Sequence, residues 1–293
     1  MNTVAAPRVH PFHHAGTGTW SYVVADPASG AAAIIDPVLD FEMASGRTAT
    51  TSATGLVDCV RQRGYRVDWL LETHAHADHL SAAHWLKATH FNAAPIAIGE
   101  GIRSVQARFR DVFDLGAGFA VDGSQFDHLF AADEVFAIGG LACRAIAVPG
   151  HTSDSNAYLV GDALFTGDSL FMPDGGTARC DFPGGSAATL YRSIRRLFDT
   201  LPDATRVFVC HDYAPGGRAV ACETSIAAQR QANIHVRDGI DEDAFVATRE
   251  ARDATLAMPA LIIPSVQVNI RAGALPEPRD NGIRYINLPL DAL

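Results

Sequence analysis

The sequence predicts an α/β fold in which helices cover two mixed β-sheets. Three observations lead to this prediction. Apolar runs of strand length alternate with segments whose apolar residues recur at helical spacing. Short turns rich in glycine, proline and aspartate join several strands as hairpins. Histidines and aspartates follow directly after four predicted strands, where loops of a layered fold usually carry reactive groups.

The first half of the chain is predicted to open with a hairpin, because Pro27 and Gly30 separate two apolar runs. Alternating helices and strands then follow. In order, the predicted elements are strands at 20–24 and 31–35, a surface loop at 40–54, a helix at 55–64, a strand at 69–71, a helix ending near residue 89, a strand at 95–98 and a helix at 101–113.

The second half continues the pattern with more strands than helices. Its predicted elements are strands at 135–138, 143–148, 157–160 and 163–166, a helix at 190–197, a strand at 206–210, a helix near 223–233 and a charged helix at 241–257. A proline-punctuated tail ends the chain. We therefore expect one main domain at 10–240 and an extension at 241–293, which packs on that domain or on a partner subunit.

Composition limits the classes of partner. The 293 residues are 48% apolar and carry a net charge of −10, which argues against nucleic acid or an anionic membrane surface as a partner. The five cysteines form no CxxC pair, which favours reduced thiols. No apolar run reaches membrane-spanning length, and the N-terminus lacks the apolar region of a secretory signal. We therefore expect a cytoplasmic protein.

The densest cluster of chemically active residues is Thr73-His74-Ala75-His76-Ala77-Asp78-His79, called the histidine turn (residues 73–79) below. An apolar run precedes it and a helical pattern follows, so we expect a turn between a strand and a helix. Imidazole and carboxylate groups are ligands of zinc, iron and manganese. This crowding on one turn indicates a metal site.

Three further candidate ligands each follow the end of a predicted strand. His151 comes after an apolar run and a Pro-Gly turn, Asp168 after another run and a glycine, and His211 directly after a third run. Strand ends at one edge of a sheet can converge on one point. We expect these residues to join the histidine turn in one site.

These motifs resemble the metallo-β-lactamase superfamily over residues 12–235. The matching strings are His74-x-His76-x-Asp78-His79, Gly150-His151-Thr152, Thr166-Gly167-Asp168 and His211. The resemblance implies a four-layer αββα sandwich. Within the superfamily the chain looks most like the bacterial branch of the persulfide dioxygenases, on the strings at 72–80, 168–171, 178–185 and 210–213.

That family implies one Fe(II) per chain, held by His74, His151 and Asp168. Two histidines and one carboxylate leave coordination positions open for substrate and O₂. The implied reaction converts glutathione persulfide, O₂ and water into glutathione and sulfite. The resemblance assigns supporting catalytic roles, through hydrogen bonds to ligands and waters, to His76, Asp78, His79 and His211.

The same resemblance suggests three substrate contacts. Arg179 matches an arginine that pairs with a glutathione carboxylate, for which a guanidinium is well shaped. Tyr213 matches a tyrosine that lines the substrate pocket. The resemblance also groups Tyr213 with the catalytic residues. Arg230 aligns loosely with a second arginine; an ordinary surface ion pair is an equally good interpretation of it.

Two other interpretations stay open. Asp78, His79 and His211 match the ligands of a second metal in dinuclear relatives, so a glutathione thioesterase of the glyoxalase II type, with two zinc ions per chain, is the alternative. A non-enzymatic metal-binding subunit is the third. The tail suggests a homodimer.

Overall fold

The computed structural model describes residues 6–291. The strands are β1 (Arg8–His14), β2 (Thr19–Ala25), β3 (Ala31–Ile35), β4 (Val38–Glu42), β5 (Arg47–Ala49), β6 (Arg66–Leu71), β7 (Leu80–Ser81), β8 (Ile96–Gly99), β9 (His128–Phe130), β10 (Glu134–Ile138), β11 (Leu141–Ala147), β12 (Asn156–Val160), β13 (Ala163–Phe165), β14 (Arg206–Phe208) and β15 (Glu223–Ser225). The helices are α1 (Thr51–Arg63), α2 (Ala83–Thr89), α3 (Ile102–Val112), α4 (Ala187–Thr200), α5 (Ile226–Ala232), α6 (Glu242–Asp253) and α7 (Ile262–Asn269).

Two six-stranded mixed sheets form the centre of the molecule. The first has the order β1-β2-β3-β6-β8-β9, and the second has the order β10-β11-β12-β13-β14-β15. A small sheet, β5-β4-β7, lies beside them. In the first sheet β3, β6, β8 and β9 are parallel, and in the second β13 and β14 are parallel. The predicted α/β class with two mixed sheets is confirmed.

Three apolar cores separate four layers. The core between the sheets includes Tyr22 and Ile35 from the first sheet and Tyr158 and Phe165 from the second. A second core joins the outer face of the first sheet to α1, α2, α3 and α7. A third joins the outer face of the second sheet to α4, α5 and α6. Because strands alternate their side chains between faces, each sheet contributes to two of these cores.

The structure corrects two of the predicted elements and adds a strand for which the sequence analysis gives no element. The segment predicted as a surface loop at 40–54 instead contains β5, the end of β4 and the first turn of α1. The helix predicted near 223–233 begins as strand β15, which pairs with β14. The histidine-rich N-terminal segment forms β1, an edge strand paired with β2. Each of these strands is short or polar and is stabilised by its partner strand, which the local pattern does not reveal.

The extension at 241–291 packs onto the rest of the chain through α6 and α7. Phe245 of α6 lies in the core outside the second sheet, and Val266 of α7 lies in the core outside the first sheet. Residues 292–293 of the predicted extension lie outside the described residues. No helix within residues 6–291 combines the length and apolarity that crossing a bilayer requires.

Candidate metal centre

The four predicted ligand segments meet at one edge of the two sheets. The histidine turn follows β6, His151 follows β11, Asp168 follows β13 and His211 follows β14. Strands β11, β13 and β14 run in the same direction, because β12 pairs antiparallel with both β11 and β13, and β14 pairs parallel with β13. Their C-terminal ends therefore carry these residues to a common place.

Gly150 allows the loop that carries His151 to pass close to the backbone of α4. Its φ is +145°, and a Cβ built there would lie 2.3 Å from the Cα of Leu190 in α4. Only glycine fits between the two backbones without a shift. The Pro-Gly signal of the sequence therefore has a steric cause.

One candidate ligand group consists of His74, His151 and Asp168. The Nε2 atoms of the two histidines lie 3.9 and 3.7 Å from Oδ2 of Asp168. One ligand atom from each of the three residues lies within 4.8 Å of the others, which is close enough to hold a common ion. This is the group that the resemblance assigned to iron.

Hydrogen bonds fix which ring nitrogen of His151 faces the group. Its Nδ1 lies 2.7 Å from the carbonyl oxygen of Arg179. Since a carbonyl oxygen only accepts, Nδ1 carries the hydrogen and Nε2 keeps its lone pair for a metal. The backbone of Arg179 thus orients a ligand, a role separate from that of its side chain.

A second group consists of His76, Asp78, Asp168 and His211, again with one atom of each within 4.8 Å of the others. His211 Nε2 lies 3.3 Å from Asp168 Oδ1 and 3.4 Å from Asp78 Oδ2. His79 lies at its margin, with Nδ1 3.3 Å from Asp78 Oδ2. Because Asp168 belongs to both groups, the residues offer one ion site or two sites that share a carboxylate.

Unpartnered buried atoms support a cation here. Within residues 6–291, eleven buried side-chain nitrogen or oxygen atoms lack a hydrogen bond, and six belong to this cluster. They are His74 Nε2, His76 Nδ1, His79 Nε2, Asp168 Oδ1 and both ring nitrogens of His211. Leaving so many polar atoms buried without a partner is costly. Imidazole and carboxylate donors fit Fe(II) or Zn(II), so the cluster fits a metal.

The electrostatics favour the ligand forms of His74, His76 and Asp78. Burial, followed by the neighbouring imidazoles, lowers the pKa of His74 and of His76 well below the ordinary 6.5. Burial opposes ionisation of Asp78, but His211 and His79 outweigh it and lower its pKa well below the ordinary range. Neutral imidazoles and ionised carboxylates are the species that coordinate metals.

Asp36 contacts two residues of the histidine turn through its carboxylate. The sequence analysis did not identify it as part of the site. It is buried, and its carboxylate accepts hydrogen bonds from the backbone N–H and the hydroxyl of Thr73 at 2.7 and 2.9 Å. Its Oδ1 also lies 3.0 Å from His76 Nε2. The only sequence signal was its place at the end of β3, beside β6.

A cavity of about 560 Å³ opens over the centre. His151, Asp168 and Asp78 form part of its floor, and residues 256–257 and 259–261 of the extension form one wall. A volume of this size suits a ligand of peptide or drug size. The extension therefore lies within reach of a bound substrate.

Two of the three predicted substrate contacts line this cavity. Tyr213 is 67% exposed, and its ring lies parallel to that of His211 with centroids 5.9 Å apart. Arg179 also lines it, but its guanidinium donates to both oxygens of Asp181 at 2.6 Å and to the carbonyl of Ala257 at 2.7 Å. Arg179 is thus engaged in holding the cavity wall.

The structure does not bring Arg230 to the cavity. Its guanidinium donates to Asp238 at 3.0 Å and to the carbonyl of Phe198 at 2.9 Å, away from the cavity-lining residues. Arg252 of α6, which sequence reasoning missed, lines the cavity instead. It is exposed, and no acid of residues 6–291 lies within salt-bridge distance of it. Its position depends on how α6 folds back, which no local motif reveals.

Residues 15–211 match the sequence profile of the metallo-beta-lactamase superfamily. The chain belongs to this superfamily. Together with the cluster of histidines and aspartates, this membership identifies a metal-binding enzyme with the αββα fold. The four-layer sandwich implied by the resemblance is confirmed.

The chain is similar to relatives with different names. It is 52% identical over 295 residues to a probable metallo-hydrolase of Burkholderia pseudomallei, covering 97% of this chain and 99% of the relative. It is 46% identical over 294 residues to glyoxylase B2 of Dictyostelium discoideum, covering 100% and 99%. It is 30% identical over 198 residues to the human mitochondrial persulfide dioxygenase ETHE1, covering 67% and 64%.

Among solved structures, the chain is similar to ETHE1 from Myxococcus xanthus. The two superpose with a TM-score of 0.71 and are 29% identical, and the match covers 91% of this chain and 100% of the other. The match therefore extends past the part of the chain aligned with the human enzyme.

Proposed function

We propose that this chain is an iron-dependent persulfide dioxygenase that oxidises glutathione persulfide, or a related low-molecular-weight persulfide, to sulfite and thiol. One observation carries the proposal. His74, His151 and Asp168 form a group of two histidines and one carboxylate whose ligand atoms lie within 4.8 Å of one another. A two-histidine, one-carboxylate face is typical of non-haem iron oxygenases. Similarity to ETHE1 proteins supports the same assignment.

The overall reaction balances as persulfide plus O₂ plus water giving thiol plus sulfurous acid, which ionises to sulfite. When bound, ferrous iron would supply redox chemistry and open coordination positions. The chain itself supplies orientation, since Arg179 and Thr73 hold the rings of His151 and His74 through hydrogen bonds at 2.7 and 3.1 Å. Tyr213 at the cavity mouth shields the stacked ring of His211 on one side.

The cavity suits an anionic thiol peptide. Glutathione carries two carboxylates, and Arg252 offers a guanidinium that is free of acidic partners among the described residues. Phe171 and Phe182 contribute apolar surface on the way to the metal ligands. We therefore propose that a carboxylate of the substrate binds at Arg252 while its terminal sulfur reaches the ligand group.

A dinuclear hydrolase of the glyoxalase II type is the second candidate. The group of His76, Asp78, Asp168 and His211 favours it, because this group would hold a second ion beside the one held by His74, His151 and Asp168. The names of the Burkholderia and Dictyostelium relatives point in the same direction. In this case the residues of both groups would hold two zinc ions per chain, which would supply Lewis-acid chemistry for the hydrolysis of a thioester.

The test compares metal content and both activities in one preparation. Protein loaded anaerobically with Fe(II) should contain about one iron per chain and should consume O₂ and release sulfite with glutathione persulfide. His151→Ala should abolish this activity, and His128→Ala, a half-exposed histidine paired with Glu134 on another part of the surface, should not. Hydrolysis of lactoylglutathione by a two-zinc form, with no O₂ uptake by the iron form, would replace the proposal with the hydrolase.

Asp78→Ala separates the two candidates further. It removes a ligand of the second group only, so a dioxygenase should keep its iron, whereas a dinuclear hydrolase should lose one of two ions and most of its activity.

A homodimer, a cytoplasmic location and the boundary between domain and extension near residue 240 remain predictions.

A further inference from the structure

The histidine turn obtains its backbone hydrogen bonds largely from buried side chains. Asp36 and Asp154 accept from the backbone N–H groups of Thr73 and Ala75, at 2.7 and 2.8 Å. Both acids are distant from the turn in sequence. The backbone of the turn is therefore shaped by side chains supplied by other segments of the chain.

Asn269 is the third such side chain, and it comes from the C-terminal extension. It is the last residue of α7 and is only 4% exposed. Its Nδ2 donates to the carbonyl oxygens of His76 and His79, each at 2.8 Å. Its Oδ1 accepts from the backbone N–H of Ser81 at 2.8 Å. One amide thus joins three peptide groups across the segment that carries candidate ligands.

Close packing fixes the position of this amide. Val266 and Val268 of α7 lie in the same apolar core as Leu80, directly after the turn. Gly273 follows the helix with φ +83°, and a Cβ there would lie 2.8 Å from the carbonyl oxygen of Ser81. The segment that follows α7 therefore packs closely against β7, the strand that follows the turn.

We propose that Asn269 is a positioning residue of the metal centre, and that the C-terminal extension is thereby part of it. Two carbonyl groups bound to one amide nitrogen are held at a fixed separation, which sets the peptide planes on either side of Asp78. Those planes set the directions of the His76, Asp78 and His79 side chains. The inference rests on the metal-binding role of the turn, which both candidate functions share, and not on the choice of substrate.

The test measures metal affinity rather than turnover. Asn269→Leu keeps the size and burial of the side chain but removes all three hydrogen bonds. Outer-shell partners of metal ligands commonly contribute about 10–100-fold to metal affinity, and we expect a loss of that size for Fe(II) and for Co(II). The visible spectrum of bound Co(II), which reports ligand geometry, should also change. Both metals are added alone, without substrate.

Gln267→Leu is the matched control. Gln267 lies on the same helix, is 1% exposed, and makes three hydrogen bonds, to the carbonyl of Ile263 and to the N–H and carbonyl of Asn287. It makes none to the histidine turn. We expect the metal affinity of the Gln267→Leu variant to stay within about twofold of wild type, although the substitution weakens the docking of α7.

The outcomes distinguish a failure of this inference from a failure of the proposed function. Wild-type affinity and spectrum in a folded Asn269→Leu protein would overturn the inference, as would an equal loss in Gln267→Leu. If Asn269→Leu does not fold, Asn269→Ser, which leaves room for a water to reach the three peptide groups, gives the same comparison. A wild type that binds neither metal would overturn the proposed function as well, and a metal-binding wild type without O₂ uptake would overturn the dioxygenase alone.

Discussion

Asp36 lies beneath His76 with Oδ1 3.0 Å from the imidazole Nε2. The same carboxylate accepts the hydroxyl hydrogen of Thr73 at 2.9 Å, and that hydroxyl lies 3.1 Å from Nδ1 of His74. Because the Thr73 hydrogen is committed to Asp36, the Nδ1 of His74 must donate to the hydroxyl, which leaves Nε2 of His74 with its lone pair. One buried acid therefore sets the tautomers of two candidate ligands.

Replacing Asp36 with asparagine should weaken metal binding. Asparagine tolerates the left-handed backbone at this position, where φ is +48°, so the fold should survive. The amide removes the charge that orients both imidazoles, and we expect metal affinity to fall about 10–100-fold. Competition titration with a chelator of known affinity measures the change.

Asp26→Asn serves as the control for that substitution. Asp26 is also a buried turn aspartate, and it accepts from Ala28 N, Ser29 Oγ and Gly140 N at 2.9, 2.6 and 2.8 Å. None of these partners belongs to the metal centre. Equal losses of affinity in the two variants would show that Asp36 acts only through general stability.

Arg252→Ala should raise KM for glutathione persulfide about tenfold and leave kcat nearly unchanged, because a charge-assisted hydrogen bond made equally in ground and transition states affects binding alone. Added salt should weaken substrate binding in wild type more than in the variant. Arg237→Ala, an exposed arginine outside the cavity, is the control and should leave KM unchanged. An unchanged KM in Arg252→Ala would remove this arginine from the substrate site.

Cys180 is expected to be chemically inert despite its position beside Arg179. Burial, followed by the charge of Asp253, raises the pKa of its thiol to about 12, so the thiolate fraction at pH 8 is roughly 10⁻⁴. Iodoacetamide at pH 8 should therefore modify the half-buried Cys59 first, as peptide mass spectrometry would detect. Cys180→Ala should keep turnover within about twofold. Rapid labelling of Cys180 would contradict this expectation.

The ligand set could be predicted from sequence because each ligand lies within a few residues of a strand end that has a strong apolar signal. The strand ends at His151, Asp168 and His211 are of this kind. Asp36 also follows an apolar strand, but no neighbouring histidine or motif distinguishes it from an ordinary turn aspartate. Arg252 and Asn269 could not be predicted, because both lie in the C-terminal extension, far in sequence from the ligands. For Asn269 the hydrogen bonds span 188 to 193 residues. No local pattern distinguishes a buried asparagine at the end of a short helix from an ordinary capping residue.

The prediction of a surface loop at 40–54 is wrong for a related reason. Its threonines, serines and glycine favour turns in isolation, yet β4 and β5 pair with each other and β4 also pairs with β7, next to the histidine turn. Strand pairing thus outweighs local propensity. The polar sequence reflects exposure of β5, all three residues of which are exposed.

His235 should make the protein less stable in mild acid. The ring is 7% exposed, its Nδ1 accepts from Thr177 N at 3.0 Å, and burial, followed by Arg249 and Arg252, lowers its pKa to about 4. Between pH 6.5 and 4 the unfolded chain binds a proton that the folded chain excludes, so the free energy of unfolding falls as the pH drops. From pH 7 to pH 5 this amounts to about 2 kcal/mol.

His235→Asn isolates that contribution, because the asparagine oxygen can accept from Thr177 N in place of Nδ1 and does not titrate in this range. We expect urea unfolding in the presence of a chelator to show a pH dependence between 7 and 5 that is smaller in the variant by about 2 kcal/mol. The protonation of His74 and His76 affects both proteins equally and cancels in the difference. Identical pH dependences in the two proteins would mean that the imidazole of His235 takes up its proton in the folded state as readily as in the unfolded chain.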